Sequence, residues 1–287
     1  MKVFYIGSAG PLSLRPLNDL LNTGHDVCGV GVDGRPSSTG QLSQTSLAIQ
    51  EVEAVDTFAR AHNITLVDLS RPITEVADEV TSIKPDVILV SCYERRLARS
   101  LLDIPSFGAF NIHPSILPAF RGPVPLFWQF RAGIGQFGLS LHRMTSQFDA
   151  GPVISCQPVQ MPDGVTMAEA SLQLTGQIKT LLNDGLRAVQ ERSVGIEQSD
   201  SNASYQTFPA KADFEVSVEW PARRIFNFMR ATAHMGKSYD CWFQGHKLRL
   251  RHALAYSDGG KPECSTDADQ VIELACSSGT LIASYYH

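Results

Sequence analysis

The chain has 287 residues, of which 43% are hydrophobic and 18% charged, and its formal net charge is −5. That is enough apolar mass for one large α/β domain and a smaller one, and it excludes a disordered, collagen-like or disulfide-stapled chain. The surplus of acid argues against a protein that grips nucleic acid over its whole surface.

The first half alternates two periodicities. Residues 2–6 are a short apolar run, followed by the turn Gly7-Ser8-Ala9-Gly10 and a helical pattern carrying Leu14, Leu17, Leu20 and Leu21. A β-branched run at 27–32 precedes a helical stretch at 50–62 with Val52, Val55, Phe58 and Ala59 on one face. Runs at 64–69 and 86–90 read as further strands around a helix at 73–83, and Pro85 marks the helix-to-strand boundary. Strands apolar on both faces imply a mostly parallel sheet covered by helices on both sides, the doubly wound α/β class.

Beyond these come a run at 108–113, a proline-rich segment at 114–125, strands at 138–144 and 152–159, and one long amphipathic helix at 166–190. That helix carries Ile178, Leu181, Leu182, Leu186 and Val189 at helical spacing. Residues 191–206 collapse into polar and small types and read as a linker. The tail combines a helix at 221–233 with strands at 239–243, 247–253 and 271–275 between Gly-rich turns. The expected organisation is therefore a catalytic domain at 1–190, a linker at 191–206 and a small β-rich, OB-like domain at 207–287. Residues 205–256 carry eight Lys/Arg against four Asp/Glu, which reads either as a solvated face or as a surface that attracts an anionic substrate.

No run approaches the ~18 apolar residues of a membrane span, and the apolar start at 2–6 is too short for a signal-peptide core. A cytoplasmic location with six reduced cysteines is the expectation, and none of the six sits in a C-x-x-C pair or in zinc-ligand spacing, so no metal is expected.

The turn at 7–10 follows a strand but has the spacing G-x-x-G, and the third glycine of a dinucleotide fingerprint is missing. The informative string is Phe110-Asn111-Ile112-His113-Pro114-Ser115-Ile116-Leu117-Pro118-Ala119-Phe120-Arg121-Gly122-Pro123, with Phe148-Asp149-Ala150-Gly151-Pro152 downstream. On an extended chain, positions 111 and 113 share one side, here at the C-terminal end of a central strand, where open α/β sheets bind ligands. A turn at Asp149 brings a carboxylate back towards the same rim. Asn, His and Asp suit acyl transfer to an amine without an enzyme nucleophile. The amide steadies the developing oxyanion; the imidazole, if protonated by a carboxylate neighbour, donates a second hydrogen bond and serves the leaving nitrogen; the carboxylate raises the histidine's pKa and relays the amine's proton. Ser115 lies outside any G-x-S-x-G elbow and Cys156 has no histidine near it in sequence, so a covalent intermediate is not expected.

The string N-I-H-P-S-I-L-P-A-F-R-G, followed 36 residues after His113 by Asp149 in D-A-G-P, resembles the formyltransferases that use 10-formyltetrahydrofolate. That family includes methionyl-tRNA, glycinamide ribonucleotide and amino-sugar formyltransferases. The run 87–91, the turn 92–97 and the R-M-x-x-x-x-D-A-G-P segment at 143–152 stand in the family's order. The stretch with Trp220, Arg230, Trp242, Lys247 and 271–276 is similar to its small accessory domain. The resemblance implies the formyltransferase fold and a catalytic triad of Asn111, His113 and Asp149. It implies that Ser115, Ile116, Leu117 and Pro118 line the formyl-folate site. It also implies that Arg96, Leu97 and Ala98, with the stretch from Thr145 to Phe148, hold the pterin. Arg96 reads equally as half of a solvated pair with Arg95. Arg121 is either an ion-pair partner steadying the proline loop or a contact to the acceptor.

The acceptor is narrowed by departures from the family's patterns. Members acting on initiator tRNA carry a basic loop after the second strand, whereas residues 34–49 here contain only Arg35. Members acting on UDP-linked aminoarabinose carry a second arginine where this chain has Pro123. The resulting expectation is an amine N-formyltransferase that takes 10-formyltetrahydrofolate and a small-molecule primary amine, either an amino sugar nucleotide or a specialised metabolite. Methionyl-tRNA formylation, hydrolysis with water as acceptor, and a non-catalytic folate-binding module are the other readings. The oligomeric state is open, a dimer included.

Overall fold

The computed structural model describes residues 1–34, 54–236, 238–260, 262 and 270–286. The expected helix at 50–62 therefore lies partly outside the described residues, and the 34–49 loop almost wholly so.

A seven-stranded sheet organises the first 190 residues. Its strands are β1 (Lys2–Ile6), β2 (Asp26–Val32), β3 (Leu66–Asp68), β4 (Val87–Ser91), β5 (Ala109–His113), β6 (Gln136–Arg143) and β7 (Val153–Gln160), in spatial order β3-β2-β1-β4-β5-β6-β7. The first five pair in parallel, as their runs of Val, Ile and Phe buried on both faces require, while β6 and β7 are antiparallel additions. Helices α1 (Pro11–Asn22), α2 (Val55–Ala61), α3 (Ile73–Ile83), α4 (Arg99–Leu102) and α5 (Pro125–Ala132) connect them. Two separate apolar clusters form: Tyr5, Leu17 and Leu20 belong to one, Phe4, Val76 and Val80 to the other. This is the doubly wound arrangement expected from the strand pattern.

The long helix expected at 166–190 is two helices, α6 (Met167–Thr175) and α7 (Ile178–Gln190). Thr166 and Glu169 form a reciprocal capping box at the start of α6. At Gly176 and Gln177 the N–H groups bond three residues back, to Gln173 and Leu174, and this tight turn re-aims the chain. The short α4 and α5 went unread because proline and polar residues mask them, although Pro125 occupies the N-terminal turn where proline is tolerated.

The tail forms a second sheet of β8 (Val216–Ser217), β9 (Tyr239–Phe243), β10 (His246–Ser257), β11 (Val271–Ala275) and β12 (Thr280–Tyr285), in order β11-β12-β10-β9-β8, with α8 (Ala222–Thr232) packed against β10. This is the small β-rich domain expected, and among the described residues its sheet is open, with β11 and β8 as its edges. The hairpin into β12 depends on Gly279, at φ +79, where a Cβ would lie 2.1 Å from the Ser257 carbonyl oxygen. Phe127 of α5 packs with ring centroids 5.2 Å from Phe214 and 5.3 Å from Phe228, so both sheets share one aromatic seam. None of the described helices is long and apolar enough to cross a membrane.

Candidate active site

β5 ends the site's central wall. Its pairing with β6 sets Asn111 opposite His142, and His113 opposite Ser140. Asp149 arrives on the turn between β6 and β7 with φ +52, a left-handed conformation that aspartate tolerates better than most residues. The following Gly151 permits the close return, since a Cβ there would lie 2.0 Å from the Arg143 carbonyl oxygen.

The three side chains converge as the sequence implies. Asn111 Nδ2 lies 3.3 Å from Asp149 Oδ1, and His113 Nδ1 lies 3.6 Å from Asp149 Oδ2. The Gly122 N–H donates to Asp149 Oδ2 at 2.9 Å. A fourth group, unread in the sequence, completes the cluster: His142 Nε2 lies 3.3 Å from both Asp149 Oδ1 and Asn111 Nδ2. Its signal was present as a histidine in the apolar β6 run, directly across from Asn111. The amide hydrogens of Asn111 thus have partners at Asp149 and His142, through long bonds that a better acceptor can displace.

Burial decides the protonation state that the sequence leaves conditional. Burial lowers the His113 pKa below its ordinary 6.5, and this outweighs the upward pull of the Asp149 charge and of the Phe120 carbonyl; His142 adds to the lowering. The resting ring is therefore neutral rather than charged. Its Nε2 lies 2.8 Å from the Phe120 carbonyl oxygen, which can only accept, so Nε2 carries the proton and Nδ1 keeps its lone pair facing Asp149. Burial pushes the Asp149 carboxyl upward, but the two facing histidines and the Gly122 N–H outweigh it and hold its pKa far below the usual range. The resting pair is thus a basic Nδ1 beside an ionised carboxylate, and a proton taken up by that nitrogen is stabilised at once.

A cavity of about 380 Å³, walled by Arg96, Arg121, Phe148, Ala150 and Tyr205 together with the 146–147 turn, adjoins the cluster through Ala150, next in sequence to Asp149, and Arg121, next to Gly122; the clustered side chains themselves are not among its walls. The Arg96 guanidinium stands 4.9 Å from the centroid of the Phe148 ring. Arg95 turns away to pair with Asp33 at 2.9 Å, so the two arginines are not a solvated pair. Thr145 shapes the turn by accepting from the Gln147 N–H and donating to its carbonyl. Leu97 is buried beneath with Leu101, and Ala98 caps α4.

Ser115, Ile116, Leu117 and Pro118 are not brought to this cavity. Ser115 is fully buried and donates to the Ala119 carbonyl at 2.7 Å. Leu117 is buried, and its N–H donates to Ser140 Oγ at 3.1 Å. The Pro118 carbonyl accepts from the Ser204 N–H, and Ile116 faces a different hollow, bounded by Gln129 and Ile134. The reason lies in β6: the Ser140 hydroxyl draws this stretch inward by bonding both the Ser115 carbonyl and the Leu117 amide.

Arg121 is an ion-pair partner, and it also borders the cavity. Its Nε donates to Gln198 Oε1 at 2.9 Å and its Nη1 lies 3.4 Å from Asp200, while the same side chain borders the cavity. Residues 191–206 accordingly do more than span a gap. Gln198 Nε2 donates to the carbonyls of Asp149 and Gly151 at 2.8 and 2.7 Å, and Ser204 holds the Phe120 and Arg121 amides. Nothing in their polar, low-complexity sequence marks them as part of a site. No group of three or more His, Cys, Asp or Glu able to hold a metal ion occurs among the described residues.

An Asn–His–Asp cluster thus stands at the carboxyl end of a doubly wound sheet. The chain belongs to the formyl transferase family, whose model matches residues 1–180. Methionyl-tRNA formyltransferase of Anaeromyxobacter dehalogenans is 25% identical over 290 residues, covering 98% of this chain and 90% of the relative. The fold is shared with WlaRD, a sugar 3N-formyl transferase solved with dTDP and 5-N-formyl-THF, at a TM-score of 0.70, 15% identity, and coverage of 100% of this chain and 98% of that one. It is also shared with the Helicobacter canadensis N-formyltransferase complexed with folinic acid and dTDP-3-aminofucose, at a TM-score of 0.66 and 13% identity, each chain covered in full.

Proposed function

We propose that this enzyme moves a formyl group from 10-formyltetrahydrofolate to the primary amine of a small molecule, an amino sugar nucleotide or a specialised metabolite. The observation that carries the proposal is the convergence of Asn111, His113 and Asp149 beside a cavity sized for a small ligand. The cleft fits the donor: the exposed Phe148 ring offers a face for a planar heterocycle, and Arg96 offers a cation for carboxylates. When bound, the donor supplies an electrophilic formyl carbon and a nitrogen leaving group.

The chain's own residues supply proton transfer and charge stabilisation. The attacking amine loses its proton to Nδ1 of His113, and the Asp149 carboxylate 3.6 Å away stabilises the imidazolium that forms. Nε2 keeps its bond to Phe120 throughout, which fixes the ring plane. Asn111 turns one amide hydrogen from its long bonds to the oxygen that gathers charge. The imidazolium then returns its proton to the departing nitrogen, so no side chain need form a covalent bond. Arg121 and Tyr205, in the wall of the same cavity, supply a cation for the acceptor's phosphates and an aromatic face for a base or sugar.

Size and charge support a small acceptor: the cavity is compact and the net charge is −5. The sequence relatives named methionyl-tRNA formyltransferase keep initiator tRNA as the second reading. The deciding experiment incubates the purified chain with 10-formyltetrahydrofolate and a set of amino sugar nucleotides, free amino acids and charged initiator tRNA, and reads formylation by mass. Formylation of a small amine in the absence of RNA is expected. Formylation of the charged tRNA alone would replace the acceptor, and folate binding without turnover would make the chain a sensor.

A further inference from the structure

The loop that leaves β5 borders two hollows. Arg121 faces the first, described above, while Ile116, Ala119 and Phe120 wall a second of about 510 Å³ together with Ile134, Gly135, Gln129 and Gln136. No charged side chain lines it. Gln129 lies on α5 and is 1% exposed. Its Nε2 donates to the carbonyls of Pro114 at 2.7 Å and Pro125 at 3.1 Å, which engages both amide hydrogens. Turning the amide over would set its oxygen against those two carbonyl oxygens, so the orientation is fixed. What Gln129 has left to offer is Oε1, which is buried and has no hydrogen-bond partner. A buried acceptor without a donor is destabilising, and a donor that reaches it removes the deficit.

We propose that this second hollow is a binding site for a neutral, mainly apolar ring molecule carrying one N–H or O–H donor, with Gln129 Oε1 as the acceptor that selects it. Mostly apolar walls with few polar groups are the usual make-up of a small-molecule site; here these are the buried, oriented Gln129 and the exposed Gln136. The absence of charge from the walls excludes phosphates and carboxylates as the preferred occupants. The site stands apart from the proposed formyl-folate cleft, whose walls share no residue with it. It is nonetheless one residue from the chemistry, since Phe120 lines it and holds His113 through its carbonyl. An occupant that shifts Phe120 therefore acts on the catalytic ring.

Indole and N-methylindole test the proposal, because they share a ring and differ in the donor. Calorimetric titration of the full chain is expected to show indole binding about tenfold or more tighter, the size of one hydrogen bond to a buried acceptor. Gln129→Met is expected to bring indole down to the level of N-methylindole. A Cβ at Gly135 meets no atom within 4 Å, so Gly135→Phe fills the hollow from its rim and is expected to abolish binding of both while the melting temperature holds. Should Gln129→Met fail to fold, having lost its two bonds to proline carbonyls, the ligand pair and Gly135→Phe decide without it. Equal affinity for the two indoles, binding that survives Gly135→Phe, or no binding of either overturns the proposal, and leaves Oε1 a water-binding atom only.

Discussion

Replacing Asp149 with asparagine isolates the charge at the centre of the site. The asparagine oxygen can still accept from the Gly122 N–H, so the turn keeps its main anchor. What disappears is a negative charge 3.6 Å from Nδ1 of His113. At an effective dielectric of ~20, two unit charges at that separation interact by ~4.6 kcal/mol, a little over three decades in rate if the imidazolium is fully formed at the barrier. A fall in kcat of about 10³ is therefore expected, within the range set by general acid–base catalysis. The pH profile provides a second readout. The carboxylate raises the His113 pKa, so its loss moves the acid limb of kcat/KM to lower pH as well as lowering the plateau. Steady-state formyl transfer from pH 4.5 to 8 measures both, with folate affinity as the control for the pocket. A variant within about tenfold of the parent, with an unmoved acid limb, would refute the role given to the Asp149 charge.

Three further outcomes follow from the geometry. Gln198→Ala removes the donor that ties the Asp149 and Gly151 carbonyls and the acceptor that holds Arg121, so kcat is expected to drop about tenfold with little change in melting temperature; Gln198→Glu, which cannot donate to two carbonyls, is expected not to rescue it. Stability is expected to fall as the pH drops below about 6.5, because His113, His25 and His234 bind protons less readily folded than unfolded; the steepest loss is about 1.4 kcal/mol per pH unit per group, and Asp149 adds its share only below the usual carboxylate range. Denaturant titrations across pH 4–8 check the sign, and a stability that rises on acidification would contradict it. Phe127→Ala opens the seam shared by both sheets and is expected to cost about 3–5 kcal/mol in a single transition; two resolved transitions would show that the sheets fold independently.

Much of the candidate site was legible because its residues lie in short, regular segments. Asn111 and His113 are two apart on a strand, and that spacing alone puts both on one face. Asp149 could be placed because D-A-G is turn chemistry, and Gly151 meets the steric demand that the structure reveals. His142 stood in plain view on β6, but its approach to Asp149 depends on the β5–β6 register, which no local pattern specifies. The inward turn of Ser115 and Leu117 was hidden for a similar reason, since the Ser140 hydroxyl that draws them in lies more than twenty residues away in sequence. Gln198 and Ser204 were unreadable altogether: a polar stretch that satisfies backbone groups of a distant loop has the composition of a solvated linker. The charge state of His113 stays open in the sequence, where a nearby carboxylate is visible and the depth of burial is not. In the tail, the helix and most strands followed from periodicity, while Thr280–Tyr285 went unread because its Ala and Ser alternate weakly with Leu and Ile.

The most direct measurement follows the formyl carbon itself. Carbon-13 NMR of a single turnover with the donor labelled at its formyl carbon and a formylatable small amine is expected to show the label passing to an amide resonance, with no formate, and His113→Ala is expected to stop it. Label that appears as formate in the presence of that amine, or transfer at an undiminished rate by His113→Ala, would contradict the chemistry assigned to this site.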